Sequence, residues 1–264
     1  RHVTTPVRVS LTLNVPETEG ELIAASTPLK VEVIRNPTPK GFGANHNAAL
    51  ARANTDLFCV LNPDIRLTAD PFPPLLALLE NPIVGIVAPA VVGPDLTPED
   101  HARAFPSLFT LAAKALGVQT RSPSTPNQSV YYPDWVAGMF MLFRSETLRS
   151  VRGFDERYFL YYEDVDLCAR LRDLGFEIAV NPDATVIHDA RRESRRNLRF
   201  LQWHLGSALR FFASQPRAAL GLGKKRSIPA LRTGPQRVQA VALPIFFAKH
   251  RPPSVPTLPG PPTL

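Results

Sequence analysis

Three stretches of the chain are apolar at almost every position: LFCVL at 57–61, IVGIVAPAVV at 83–92 and WVAGMFMLFR at 135–144. A strand turns successive side chains to opposite faces, so an unbroken apolar run needs cover on both sides. These runs therefore predict interior strands of a sheet held between layers of helix. VRVSLTL at 7–13 and KVEVIRN at 30–36 alternate like further strands. GFGANHNAALARA starts a helix from a glycine-rich turn, and a short helix is expected around 74–80. The repeated strand–helix alternation predicts an α/β protein with a mainly parallel central sheet and helices on both faces. Another short helix is expected near 108–116. FEIAVNPDATVIH at 176–188 predicts strand, turn and strand. ESRRNLRFLQWHLGSALRFF at 193–212 predicts an amphipathic helix with Leu198, Leu201, Leu205, Leu209 and Phe212 on one stripe. That stripe is expected to pack on the domain rather than enter lipid.

A chain of 264 residues can bury a full core. Its two cysteines, Cys59 and Cys168, lie in apolar runs, which suits a reducing, cytoplasmic compartment and excludes a disulfide scaffold. No run reaches the roughly 20 apolar residues needed to span a bilayer. The chain starts at Arg1 with no leader pattern, read here as a missing N-terminus. The net charge of +7 is unevenly spread: residues 1–188 carry −5 and residues 189–264 carry +12. From Gln215 onward ten of 50 residues are proline. The expected division is a folded domain over 1–213 and a basic, loosely ordered tail over 214–264. Such a tail suits the anionic surface of a membrane; with few aromatics and no recognisable module, nucleic acid is not an expected partner.

Four short motifs could carry chemistry. GFGANHN offers Gly41 and Gly43 for close approach and free amides at a helix start, but Asn45 and Asn47 stand where a dinucleotide fingerprint would place its third glycine. LNPD ends a buried strand at Asp64, where α/β sheets collect ligands, although Asn-Pro-Asp is also an ordinary turn sequence. His188 closes ATVIH; with Asp64 it would form a mixed oxygen and nitrogen site suiting Mn2+ somewhat better than Mg2+. YYEDVDLC crowds Glu163, Asp164 and Asp166 at a helix start. Helix capping and proton transfer to a carboxylate remain two open readings of that cluster.

The order GFGANHN, LNPD, WVAGMFMLFR, GFDERYFLYYEDVDLCARLRDLGF, VIH resembles the family 2 glycosyltransferases of the GT-A fold, in particular bacterial rhamnosyltransferase-like members. The likeness spans about 31–212, and GFDE…EDVDLC…G is its most distinctive part. It implies inverting transfer of a sugar, rhamnose among the candidates, from a dTDP- or UDP-linked donor to a hydroxyl. The acceptor would be a glycan or lipid-linked sugar in cell-surface polysaccharide assembly. It also implies a divalent metal, Mn2+ or Mg2+, held by Asp64 and His188, with Asp164 as catalytic base and Glu163 orienting acceptor or base. Gly41, Phe42, Gly43, Asn45, Asn47, Asn62 and Asp64 would line the donor site. Trp135, Gly138, Asp155 and Glu156 would lie on the acceptor side. The chain departs from the family at its start: it has no VSVVIVTYN-type first strand, so the sheet is expected to lack a central strand. VRVSLTLNVPE stands in for the second strand, with Asn14 nearest to the family's asparagine. A sugar-phosphate nucleotidyltransferase and a degenerate, non-catalytic binding protein of the same fold are the alternatives carried forward.

Overall fold

The computed structural model describes residues 3–15, 31–107, 129–189, 198–215 and 238–242. Strands β1 (Val7–Leu13), β2 (Val31–Arg35), β3 (Leu57–Leu61), β4 (Ile65–Leu67), β5 (Val84–Val92), β8 (Phe140–Arg144), β9 (Glu177–His188) and β10 (Val238–Ala242) form one sheet in the order β2-β1-β10-β3-β8-β5-β9-β4. Strands β6 (Ala102–Arg103) and β7 (Trp135–Val136) pair separately. The large sheet is mixed. The β2-β1, β1-β10, β10-β3 and β5-β9 pairings are parallel; β3-β8, β8-β5 and β9-β4 are antiparallel.

The apolar runs are explained by cover on both faces. Phe58 and Val60 of β3, with Met141 and Phe143 of β8, point into one core. There they meet Leu50 of α1 (Phe42–Arg52), Leu148 of α3 (Ser145–Ser150) and Leu167 and Leu171 of α4 (Glu163–Asp173). Leu57, Cys59, Phe140 and Leu142 point the other way, against Phe72, Leu75 and Leu79 of α2 (Phe72–Leu79). Each strand thus contributes two buried faces, at about 1.5–3 kcal/mol for each large side chain fully buried.

Several expectations change. The sheet does not lack a strand between β1 and β3: β10, from the segment expected to be loosely ordered, lies between them, with Val9 opposite Ala240 and Cys59 opposite Ala240. Residues 238–242 therefore belong to the main sheet, and the division at 213 does not separate them from it. The remainder of 216–264 and the short helix expected near 108–116 lie outside the described residues. Residues 177–188 form one strand rather than two, with Asn181-Pro182-Asp183 absorbed at a register shift against Pro89 and Ala90. Helix α5 (Leu198–Ser214) packs with the opposite orientation to that expected. Ser207 and Phe211 face the domain, while Leu201, Leu205 and Leu209 are 55%, 55% and 73% exposed.

Candidate active site

Strand β3 ends at Leu61, and two hydrogen bonds tie the LNPD turn beyond it to α4. Asn62 N donates to Met139 O at 2.9 Å, and Gly138 N, one residue earlier, donates to Asp164 Oδ2 at 3.0 Å. LNPD, the turn before β8 and the start of α4 are thereby joined at the carboxyl edge of β3, where open α/β sheets place ligands. Gly138 has no room for a side chain: a Cβ there would sit 2.9 Å from the tip of the Phe42 ring.

The second half of the site comes from register. Ile65 of β4 lies opposite His188 of β9, and Asp189 N donates to Asp64 O at 3.0 Å. This pairing brings residues far apart in sequence to one point, with His188 Nε2 3.3 Å from Asp64 Oδ2. The other ring nitrogen, Nδ1, lies 2.7 Å from Glu99 Oε2. Burial alone would lower the pKa of His188, but the hydrogen bonds and charges of Asp64 and Glu99 raise it to about 9. Asp64 Oδ1 is buried with no hydrogen-bond partner among the described residues.

A carboxylate with one oxygen orphaned and the other beside an imidazole nitrogen fits a divalent metal of borderline hardness. Among the described residues no group of three or more His, Cys, Asp and Glu is disposed to hold a metal. A two-ligand protein site is nevertheless suited to an ion whose other positions are filled by substrate phosphates and water.

The opening of α4 carries strain. Tyr161 and Tyr162 both adopt left-handed backbone, with φ of 70° and 66°. Each costs on the order of 1–3 kcal/mol for a side chain of this kind and persists only where packing imposes it. Helix α5 supplies that packing. Ser207 Oγ donates to Leu160 O at 2.9 Å, the His204 ring lies 5.4 Å from both tyrosine rings, tilted to Tyr161 and edge-on to Tyr162, and Phe211 lies 5.6 Å from Tyr162.

The three acids then divide. Asp166 is structural: it is buried, pairs with Arg170 at 2.7 Å and accepts from Gln215. Glu163 is buried, its Oε2 without a partner among the described residues; burial and then the charge of Asp164 push its pKa well above normal. Asp164 is also raised by burial, but amide donors from Gly138 and Val165 oppose the shift. The helix dipole offers only about 0.3–1 kcal/mol to an anion here, against a burial cost of several kcal/mol. Burial thus favours the neutral form more strongly at Glu163 than at Asp164, whose carboxylate is held by amide donors. The N-cap is Tyr162 and makes no side-chain cap bond; the free first-turn amide of Val165 is taken instead by Asp164 Oδ1 at 2.8 Å.

The expected donor residues gather around a buried asparagine network. Asn36 Nδ2 donates to Asn14 Oδ1 at 2.8 Å and to Asn45 Oδ1 at 2.6 Å, while Asn14 holds both the N–H and the C=O of Lys40. Asn47 is committed to the Gly153–Glu156 turn: it bonds the N–H and C=O of Phe154 and Glu156 Oε1. The glycines have a packing role. A Cβ at Gly41 would lie 2.9 Å from Tyr158 O and Phe159 O, and one at Gly43 would lie 2.6 Å from Phe154 Cβ. Phe42 packs on His46 and Phe154. A cavity of about 500 Å3 opens beside this segment, lined by Lys40, Gly41, Asn47, Glu156 and Phe159 among others; it does not reach Asp64 or Asp164.

On the expected acceptor side, the Trp135 indole donates to Ala104 O and lies under the Arg103 guanidinium. The Arg157 side chain holds Asp155 below the usual carboxylate range. Sequence reasoning missed Asn36 and Glu99. Asn36 follows β2 at the same edge as Asn14, a signal of position only; Glu99 carries no local signal at all.

The chain belongs to the glycosyltransferase family described as "Glycosyltransferase like family 2", which matches residues 17–202. It is similar to the rhamnosyltransferase WbbL of Escherichia coli, with 32% identity over 187 residues, 66% of this chain and 70% of that protein. Two Mycobacterium tuberculosis proteins are similar over smaller shares of their own length. The pre-mycofactocin glycosyltransferase is 33% identical over 67% of this chain and 36% of its own. The N-acetylglucosaminyl-diphospho-decaprenol L-rhamnosyltransferase is 31% identical over 54% and 50%. Among solved structures, the fold matches GalNAc-T7 bound to UDP, GalNAc and Mn2+, with a TM-score of 0.59, 14% identity and coverage of 82% and 51%. It also matches the mannosyltransferase PcManGT of Pyrobaculum calidifontis bound to GDP-Man and Mn2+, with a TM-score of 0.52, 16% identity and coverage of 83% and 69%. The fold is thus GT-A and the family one that transfers sugars.

Proposed function

We propose that this protein is a metal-dependent, inverting glycosyltransferase that moves a sugar from a dTDP- or UDP-linked donor to a hydroxyl of a glycan or lipid-linked acceptor, with rhamnose the leading candidate sugar. The observation that carries the reading is the pair of hydrogen bonds, Asn62 to Met139 and Gly138 to Asp164, that joins the Asp64–His188 pair to the Asp164 carboxylate of α4. Inversion needs one base and a stabilised leaving group, with no enzyme nucleophile. The acceptor oxygen attacks the anomeric carbon, its proton passes to Asp164, and the bond to the donor diphosphate breaks. Both Asp164 oxygens already accept a backbone amide, which fixes the carboxylate and leaves lone pairs for the acceptor hydroxyl. Burial favours the neutral form of Glu163 beside it, which would limit the negative charge facing the attacking oxygen. Asp64 and His188 would hold Mn2+ or Mg2+, which when bound offsets charge developing on the diphosphate.

The non-catalytic alternative was motivated by an open central slot in the sheet. β10 fills that slot, which supports the catalytic reading. A lipid-linked acceptor also agrees with α5: its outward leucines, the absence of acidic residues over 198–214 and the basic sequence on either side suit an anionic membrane surface. Co-sedimentation with vesicles of phosphatidylglycerol, lost in Leu205→Asp/Leu209→Asp, tests that contact.

The catalytic assignment is tested by donor-consumption assays on two variants. Asp164→Asn is expected to lower transfer at least a thousandfold while nucleotide binding persists. Asp64→Ala is expected to lose metal-dependent nucleotide binding. Normal transfer by both would overturn the assignment.

A further inference from the structure

We propose that Glu99 is a positioning residue of the metal site: its carboxylate fixes the His188 ring so that Nε2 faces Asp64. The inference rests on the reading of Asp64 and His188 as the metal-holding pair. The geometry is an unbroken sequence of three side chains. Glu99 Oε2 lies 2.7 Å from His188 Nδ1, and His188 Nε2 lies 3.3 Å from Asp64 Oδ2. An imidazole cannot present both nitrogens to one ion, so a ring held at Nδ1 by an acceptor is committed to offer Nε2 on its other side. Carboxylate or carbonyl partners on the far nitrogen are the usual means by which proteins fix histidine ligands, and losing one typically costs 10–100-fold in metal affinity.

A tight chain reversal places Glu99 there. Strand β5 ends at Val92, which is in register with Ile187, the neighbour of His188. The chain then turns back: Gly93 N donates to Thr97 O at 2.8 Å, Leu96 takes a left-handed φ of 62°, and Asp95 Oδ1 accepts from the Thr97 hydroxyl. Val92 bridges to Pro98, and Glu99 N donates to Val91 O at 2.9 Å. This return sets Glu99 directly beside β9, with its side chain only 17% exposed and that of His188 9% exposed. The backbone of Glu99 is in turn tied down, since its carbonyl accepts from the His101 side. A surface glutamate would gain little by such confinement. One that must hold a ring in a fixed orientation needs it.

The test uses the full chain and MnCl2 as the probe. Mn2+ affinity is measured by titration followed by electron paramagnetic resonance, with UDP present, for wild type, Glu99→Ala and Glu99→Gln. The ring nitrogens of His188 are followed by 15N NMR without metal. Glu99→Ala is expected to weaken Mn2+ binding 10–100-fold and to shift the His188 Nδ1 resonance. Glu99→Gln keeps an amide oxygen that accepts from Nδ1–H, and is expected to recover most of the affinity. A merely structural role would shift the resonance but leave the Mn2+ affinity of the folded variant unchanged. Equal Mn2+ affinity in wild type and a folded Glu99→Ala overturns the inference while leaving the metal site standing. A wild type that binds no Mn2+ overturns the metal site and the inference with it.

Discussion

His46 is buried in α1 between the rings of Phe42 and Phe154, and neither ring nitrogen has a hydrogen-bond partner among the described residues. Burial drives its pKa from 6.5 down to about 3. The folded protein therefore holds this imidazole neutral, while the unfolded chain takes up a proton as pH falls below 6.5. A base depressed in this way stabilises the fold above its unfolded pKa, and that stability is lost as pH drops through the window from about 6.5 to 3. Between pH 7 and pH 5 the unfolded histidine goes from roughly one quarter to nearly full protonation, worth about 2 kcal/mol at 1.4 kcal/mol per pH unit. The figure holds for any folded pKa below about 4. His46→Leu removes the titration and two buried polar atoms. Urea denaturation of wild type and variant at pH 7 and pH 5 isolates the effect, because the other titrating groups cancel in the comparison. Wild type is expected to lose about 2 kcal/mol more than His46→Leu on acidification. Equal losses, or an NMR titration of folded His46 near pH 6.5, would refute the burial argument.

Two further perturbations concern the packing around the site. Phe211→Ala removes a fully buried ring that supports Tyr162, and should cost about 3–5 kcal/mol in denaturant unfolding. Transfer should fall by more than the unfolded fraction explains, because the left-handed Tyr161–Tyr162 turn loses its clamp. Gly153→Ala puts a Cβ onto Asn47 Oδ1 at a φ of 71°, and should destabilise by at least 1–3 kcal/mol and free the Gly153–Glu156 turn. A thermal melt unchanged from wild type would contradict that reading.

What could be read from the sequence was what depends on short-range pattern. The apolar runs of β3, β5 and β8 declared two buried faces, and the spacing of Val165, Cys168 and Leu171 declared α4, with Gly175 at its end in positive φ. Asp64 and His188 could be paired from residue chemistry and the family likeness, but what brings them together is the β4–β9 register across more than a hundred residues. Glu99 was out of reach because a reverse turn places it, and a lone glutamate in a Pro-rich loop has no periodicity. β10 was missed because VQAVA is five residues in a proline-rich stretch, and its place is set by pairing with β1 and β3 alone. The orientation of α5 could not be settled by pattern. Leu201, Leu205 and Leu209 share one spacing; Trp203, Ser207 and Phe211 share the same spacing on another face. The aromatic face turns inward, where Trp203 meets Phe159 and Phe211 meets Tyr162. A ring buries more surface than a leucine and the turn before α4 offers it partners.

The central claim is a donor site that works through Asp64 and His188 together with a metal. Calorimetric titration of the chain with UDP and with dTDP, with and without Mn2+, tests it most directly. The account predicts that one nucleotide binds in a Mn2+-dependent manner and that Asp64→Ala abolishes that dependence. Absence of binding under all conditions, or binding indifferent to both the metal and Asp64, would contradict it.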